Sequence, residues 1–233
     1  MIEGETIYTK DQKEFGLIAA QKMVRVISEE IDKKGKCFLA ISGGRTPLPV
    51  YDILNSNKYH QILDWSKVFV FFTDERCVPK DSIENNFKSC FEYWLQFFPD
   101  INSNRIEGWL TPELAATKYE KKIKSVLDIK NNFPQFDLIF MGIGEDGHVA
   151  SLFPEYNFEK SENNYVEGFH VKKLEMNRVT LTLAVLNNAK NRLFGIIGNK
   201  KKAIFNDLLN QRYKDYPVSR LLASNANDIW LVA

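Results

Sequence analysis

Three short apolar runs in this chain end in the same manner. Cys37 to Ile41 stops at Ser42-Gly43-Gly44, Val68 to Phe72 stops at Thr73-Asp74-Glu75-Arg76, and Phe136 to Met141 stops at a glycine-punctuated turn, Gly142 to His148. Apolar runs of this length, without alternation, read as strands buried on both faces. Between them lie segments with helical spacing. The clearest covers residues 11 to 34, where Phe15, Ile18, Ala19, Met23, Val26, Ile27 and Ile31 share one face and Gly35 ends the helix. Strand, polar turn and helix in repetition predict an α/β fold with a largely parallel sheet flanked by helices, in which ligands lie at the carboxyl ends of strands. The three polar strand ends should therefore converge.

Farther along, Val179-Thr180-Leu181-Thr182-Leu183 alternates like a strand with one wet face. Leu193 to Ile197 and Ile229 to Val232 read as further strands, and Lys200 to Gln211 as a helix. With 233 residues, 44% hydrophobic, and no repeat or linker-like tract, the chain reads as one domain over 1–233. A net charge of +1, with Lys and Arg dispersed, argues against an extended nucleic-acid surface and leaves small anions as ligands. Cys37, Cys77 and Cys90 are odd in number and lack metal-type spacing, which predicts neither a disulfide framework nor a structural zinc site. The acidic start, Met1 to Glu5, and the lack of a membrane-length apolar stretch give the cytosol as the expected location and no membrane partner.

Gly142-x-Gly144-x-x-Gly147 matches the dinucleotide fingerprint, follows a strand and has an acid, Glu167, at a distance suited to a ribose. The match reads as a decoy. Glu145 and Asp146 stand where a pyrophosphate would lie, and Pro154 comes too soon for the required helix.

His148 is the best base in the chain, with Asp146 two residues away to orient it, whereas His60 and His170 read as solvent or packing histidines. Ser151 forms a possible nucleophile pair with His148, but the strained Gly-x-Ser-x-Gly elbow is absent. Ser42-Gly43-Gly44-Arg45-Thr46-Pro47 offers backbone N–H groups, hydroxyls and a guanidinium to a phosphate, with Thr46 as N-cap and Pro47 as first helical residue. By itself the segment is equally an ordinary strand-to-helix turn. Arg76 offers a bidentate grip on an oxyanion, and Asp74 a partner for Arg76 or for a sugar hydroxyl; the plain alternative is a surface ion pair. Lys173, Arg178 and the run Lys200-Lys201-Lys202 add cations near strand ends, although the run also reads as a solvated helix start. Asp146 and His148 lack a recognisable third ligand, so no catalytic metal and no cofactor are expected.

Taken in order, Ser42 to Pro47, Asp74 to Arg76 followed by Val78-Pro79 and Asn86, and Gly142 to Pro154 resemble the 6-phosphogluconolactonases of the glucosamine-6-phosphate isomerase/6-phosphogluconolactonase family. Arg178 to Thr182 and Gly198 to Lys201 extend the resemblance to essentially the whole chain. It implies the three-layer, Rossmann-like fold of glucosamine-6-phosphate deaminase and ribose-5-phosphate isomerase. The implied reaction is hydrolysis of 6-phosphoglucono-δ-lactone to 6-phosphogluconate in the pentose phosphate pathway, which brings in glucose-6-phosphate dehydrogenase as a pathway partner. On this resemblance His148 and Asp146 are the catalytic pair, and Gly43, Gly44, Arg45, Thr46, Asp74, Arg76, Lys173, Arg178 and Lys201 hold the substrate and its phosphate. The alternatives are a deaminase and a non-catalytic sugar-phosphate sensor. The deaminases usually carry an aromatic-Asn-Glu-Pro block where Ser151 to Pro154 stands, and a Tyr where Arg76 stands. One departure is that Lys173 is followed by Leu174-Glu175-Met176-Asn177, where the family commonly has Lys-Pro-Pro.

Overall fold

The computed structural model describes residues 4–158, 163–212, 215–221 and 227–233. In chain order the elements are β1 (Glu5–Tyr8), α1 (Gln12–Lys34), β2 (Cys37–Ile41), α2 (Leu48–Leu54), α3 (Asn57–His60), β3 (Val68–Phe72), β4 (Asp74–Arg76), α4 (Asn86–Tyr93), β5 (Asn102–Asn104), α5 (Pro112–Val126), β6 (Ile129–Lys130), β7 (Phe133–Pro134), β8 (Leu138–Gly142), β9 (Val166–Val171), β10 (Met176–Leu181), α6 (Leu183–Asn187), β11 (Asn191–Ile196), α7 (Asn199–Leu209) and β12 (Asp228–Val232).

Seven strands pair in the order β1-β12-β11-β8-β2-β3-β5, and every pairing is parallel. The chain moves outward from β2 to β3 and β5, then returns to β8 on the other side of β2, so the order reverses between β2 and β8. The loops leaving two such strands splay apart and open a crevice at their carboxyl ends. The seven-stranded sheet and its flanking helices match the α/β architecture expected from the sequence.

Both faces of the sheet are covered, which is why β2 is buried at all five positions and carries no polar alternation. Helix α1 begins where the Asp11 carboxylate accepts the Glu14 N–H at 2.8 Å. It ends where Gly35, at φ +77°, returns its N–H to the Ile31 carbonyl at 2.8 Å. Phe15, Ala19, Met23 and Ile27, four residues apart, are fully buried.

A second sheet, antiparallel, in the order β4-β10-β9, stands at the upper edge of the first. The Leu181 N–H bonds the Thr73 carbonyl at 2.8 Å and joins the two. Here two expectations fail. The segment from Val179 to Leu183 has no wet face: Thr180 and Thr182 are as buried as their apolar neighbours, their hydroxyls bond the carbonyls of Leu181 and Asn164, and Leu183 already opens α6. Thr46 does not cap α2, whose N-cap position is Pro47, because its hydroxyl is engaged across the crevice by a lysine.

Candidate active site

From β2, the chain turns through Ser42 to Thr46. The Ser42 N–H bonds the Phe140 carbonyl of β8 at 3.1 Å, and the Tyr51 hydroxyl donates to the Ser42 carbonyl at 2.6 Å, so the turn is anchored from below. Gly44 sits at φ +81° with open space where a Cβ would project, leaving its backbone approachable. The Lys201 ammonium, carried by the first turn of α7, donates to the Thr46 hydroxyl at 2.9 Å. Burial pulls Lys201 below its ordinary pKa, against the upward pull of Glu145.

From β8, the chain turns through Gly142 to His148, closed by the Gly144 N–H on the His148 carbonyl at 2.8 Å. A Cβ on Gly144 would lie 2.0 Å from Nδ1 of His148, so the imidazole rests directly on a backbone that has to be glycine. Nδ1 meets Oδ1 of Asp146 at 2.5 Å, and the Phe153 ring packs 4.4 Å from the imidazole. With Nδ1 tied to a carboxylate, Nε2 is the nitrogen left for chemistry. Oδ2 of Asp146 accepts from Lys173 at 3.1 Å. Burial would raise the Asp146 carboxyl, but bonds from the His148 ring, from Lys173 and from the His148 N–H outweigh it and hold the group well below the usual carboxylate range.

The second sheet supplies the remaining wall. Arg76 on β4 and Arg178 on β10 are cross-strand partners, two like charges side by side. The Arg178 guanidinium lies 5.9 Å from the Phe153 ring, and its buried Nε has no partner among the described residues. Burial lowers its pKa, with Asp74 pulling the other way. Arg76 donates from Nη1 to the Glu84 carbonyl at 2.6 Å. Asp74 forms no ion pair with Arg76 among the described residues. Its carboxylate accepts from the Ser151 hydroxyl at 2.7 Å and from Thr73 at 3.2 Å, while Thr73 and Ser42 share a hydrogen bond at 2.8 Å. Ser151 is thus fully buried and committed to Asp74, which removes the basis for pairing it with His148 as a nucleophile.

These walls enclose a cleft of about 590 Å³, and all eleven residues singled out from the sequence line it: Gly43, Gly44, Arg45, Thr46, Asp74, Arg76, Asp146, His148, Lys173, Arg178 and Lys201. Glu167, the supposed ribose acid, lines a separate cavity between α5 and β9 and accepts from the Tyr156 hydroxyl at 2.7 Å. No helix follows the Gly142–Gly147 turn before Pro154, so the dinucleotide reading falls. His60 stacks on Phe98 and His170 bonds Asn177, both away from the cleft.

Sequence reasoning gave no role to Glu75 or Asn86. Glu75 is fully buried and accepts the N–H groups of Arg76, Asn86 and Phe87 at 2.9, 2.6 and 2.9 Å, pinning the start of α4 beneath the cleft. Burial pushes its carboxyl up to about 7, although those three N–H bonds pull it down. Asn86 then reaches the Asp74 carbonyl at 3.0 Å and lines the cleft. Among the described residues, no group of three or more His, Cys, Asp or Glu gathers where it could hold a metal ion, and no helix is long and apolar enough to cross a membrane.

Comparison with known proteins agrees with this geometry. The profile of the family described as glucosamine-6-phosphate isomerases/6-phosphogluconolactonase matches residues 10–230. A 6-phosphogluconolactonase of Thermotoga maritima is 33% identical over 217 residues, which cover 91% of each chain. The crystal structure of a 6-phosphogluconolactonase from that organism superposes with a TM-score of 0.83 at 29% identity, covering 99% of both chains. A monomeric glucosamine-6-phosphate deaminase shares the fold, with a TM-score of 0.80 at 19% identity over 98% of this chain and 96% of that one. With the family's pattern spanning nearly its whole length and the glycine turns meeting at one cleft, this chain belongs to the glucosamine-6-phosphate isomerase/6-phosphogluconolactonase family.

Proposed function

We infer that the chain hydrolyses 6-phospho-D-glucono-1,5-lactone to 6-phospho-D-gluconate, with His148 as the general base and no resident metal. The observation that carries the reading is the tie from Asp146 to Nδ1, which fixes the tautomer and turns Nε2 toward the cleft. A water molecule attacks the lactone carbonyl carbon as Nε2 takes its proton. The tetrahedral oxyanion then collapses, the bond from the carbonyl carbon to the ring oxygen breaks, and the imidazolium returns the proton to that oxygen. Asp146 stabilises the imidazolium throughout, and no acyl-enzyme forms.

The phosphate is held by the Gly43–Gly44 turn, Arg45, Thr46 and Lys201. The support for this is a half-buried ammonium bonded to a hydroxyl beside an approachable backbone. Arg76 and Arg178 add positive potential toward the phosphate and toward the carbonyl as it gains charge. Asp74 acts from below by holding Ser151, and Lys173 acts at the mouth. Binding energy from the remote phosphate thereby positions the carbonyl against His148.

The reading takes residues 1–233 as a single lactonase domain acting in the cytosol, in pathway association with glucose-6-phosphate dehydrogenase; co-sedimentation of the two proteins tests the association. The deciding experiment is lactone opening at pH 7, corrected for spontaneous hydrolysis, beside ammonia release from glucosamine 6-phosphate. Catalysed opening without ammonia is expected. Ammonia release would replace the reading with the deaminase, and binding of 6-phosphogluconate with opening at the spontaneous rate would replace it with a sensor.

A further inference from the structure

The Asp146 carboxylate serves two partners at once. Oδ1 holds the His148 imidazole at 2.5 Å and Oδ2 holds the Lys173 ammonium at 3.1 Å. The two partners are built differently. His148 lies on the Gly144 backbone and packs against the Phe153 ring. Lys173 sits in the single turn Lys172–Leu174 at the tip of the β9–β10 hairpin, which reverses through Glu175 at φ +47°, and its side chain is 60% exposed. One partner is immobilised and the other is a long, solvated arm at the mouth of a cleft made for an anion.

We propose that Lys173 is a positioning residue acting through Asp146: in the free protein it shares the carboxylate with His148, and an oxyanion of the bound sugar draws its ammonium away. The carboxylate is then left to the imidazole when His148 takes a proton from water. The oxyanion is the phosphate or the carboxylate that forms from the lactone; both offer the same chemistry to an ammonium. The inference rests on the general-base reading of His148. It adds that the base is strengthened by the arrival of the ligand, so that a water molecule entering the empty cleft meets a weaker base than one entering with substrate.

The charged side chains lining the cleft around His148 are Arg45, Asp74, Arg76, Glu145, Asp146, Lys173, Arg178 and Lys201. Glu145 is paired with Lys200 at 2.7 Å, and Asp74 is occupied by hydroxyls. Lys173 is therefore the cation to change, and Lys173→Met leaves the others in place.

The test is an NMR titration of the His148 ring, assigned by loss of its signal in His148→Asn, in a chain with three histidines. In ligand-free buffer the midpoint of Lys173→Met should lie above that of the wild type by about 0.2–0.7 pH unit, the reach of an exposed ion pair. Saturating 6-phosphogluconate should erase that difference, and Lys173→Arg should behave as wild type. Separate arms with inorganic phosphate and with gluconate show which oxyanion draws the lysine. Equal midpoints in the free proteins, a difference that survives saturating 6-phosphogluconate, or Lys173→Arg behaving like Lys173→Met would overturn the proposal. Such a failure differs from failure of the base reading, which would appear as retained lactone opening in His148→Ala.

Discussion

Where the strands of the parallel sheet begin, charges are closed on one another. Asp137, fully buried ahead of β8, receives Lys34 and Lys190 at 2.8 Å and the Phe38 N–H at 2.8 Å, and Lys190 also reaches Glu30. Arg192 and Asp228, at the starts of β11 and β12, form a buried pair with two bonds of 2.7 Å. Where the strands end, Arg45, Arg76, Arg178 and Lys201 form no ion pair among the described residues, and one carboxylate, Asp146, is divided between the His148 imidazole and the Lys173 ammonium. The lower edge is satisfied by its own chain. The upper edge has an excess of positive charge, which on the proposed function a bound phosphate completes. The difference separates charges that are closed within the fold from charges that, on the proposed function, meet an anion; of the latter, Arg178 is buried, Arg76 and Lys201 are half-buried and Arg45 is exposed.

The sharpest break of the comparison is His148→Ala. Turnover of the phosphorylated lactone should fall by about 10²–10⁴-fold, with product affinity little changed and unfolding free energy close to wild type. Steady-state kinetics and urea unfolding on one preparation check both halves. Near-wild-type turnover would remove His148 from the reaction.

Arg192→Met should do the reverse. It removes the guanidinium that faces the buried Asp228 carboxylate with two bonds and should lower the unfolding free energy by about 3–5 kcal/mol, while kcat per folded molecule stays within about twofold. A stable Arg192→Met protein with reduced kcat would show that the lower edge is not purely structural. Arg178→Met should come next in size. Losing a charged donor to the bound anion costs about 1.5–3 kcal/mol, read as a 10- to 100-fold fall in kcat/KM. It should stabilise the ligand-free protein or leave it unchanged, because Arg178 there is desolvated beside the like charge of Arg76 and forms no ion pair among the described residues, so that the longer-range pull of Asp74 only partly offsets its burial. Lost stability without ligand would argue that Arg178 belongs with the closed charges.

Much of this contrast was legible in the sequence, for a local reason. A strand buried on both faces admits no polar residue, so the first glycine, acid or cation after it marks the carboxyl edge, and three such edges placed Gly43, Asp74 and His148 on one side before any topology was known. What was not legible depends on phase or on distance. Lys200 and Lys201 are neighbours in a lysine run, yet helix phase sends the first to solvent and Glu145 and the second to Thr46. Thr46 looked like a cap because nothing local reveals a lysine 155 residues away. The Thr111-Pro112-Glu113 start of α5 is a local signal of the same readable kind, and the Thr111 hydroxyl does accept the Leu114 N–H. Strands of three residues, such as β4, carry too little alternation to show that Glu75 turns down into the core while its neighbours face the cleft.

Glu75 and Asp137 give the smallest and most specific test, because they are two fully buried carboxylates with opposite shifts. Burial would raise Asp137, but Lys190, Lys34 and the Phe38 N–H bring it below the ordinary value. Its contribution to stability is therefore present above the unfolded-state pKa of about 3.9 and is lost as pH falls through the folded value. Glu75 is bonded by backbone N–H groups and forms no ion pair among the described residues, and burial holds it up at about 7 against an ordinary 4.5. A folded pKa above the unfolded one means that the native state binds the proton more tightly, so ionising Glu75 costs stability as pH rises from 4.5 to about 7. Unfolding free energies measured across this window should fall for the wild type relative to Glu75→Gln by about 1–3 kcal/mol. Asp137→Asn should track the wild type through the same window and converge with it only in acid. Parallel curves for wild type and Glu75→Gln would mean that the three N–H bonds at the start of α4 suffice to carry the charge, and that the floor of the cleft is as closed as the edge beneath it.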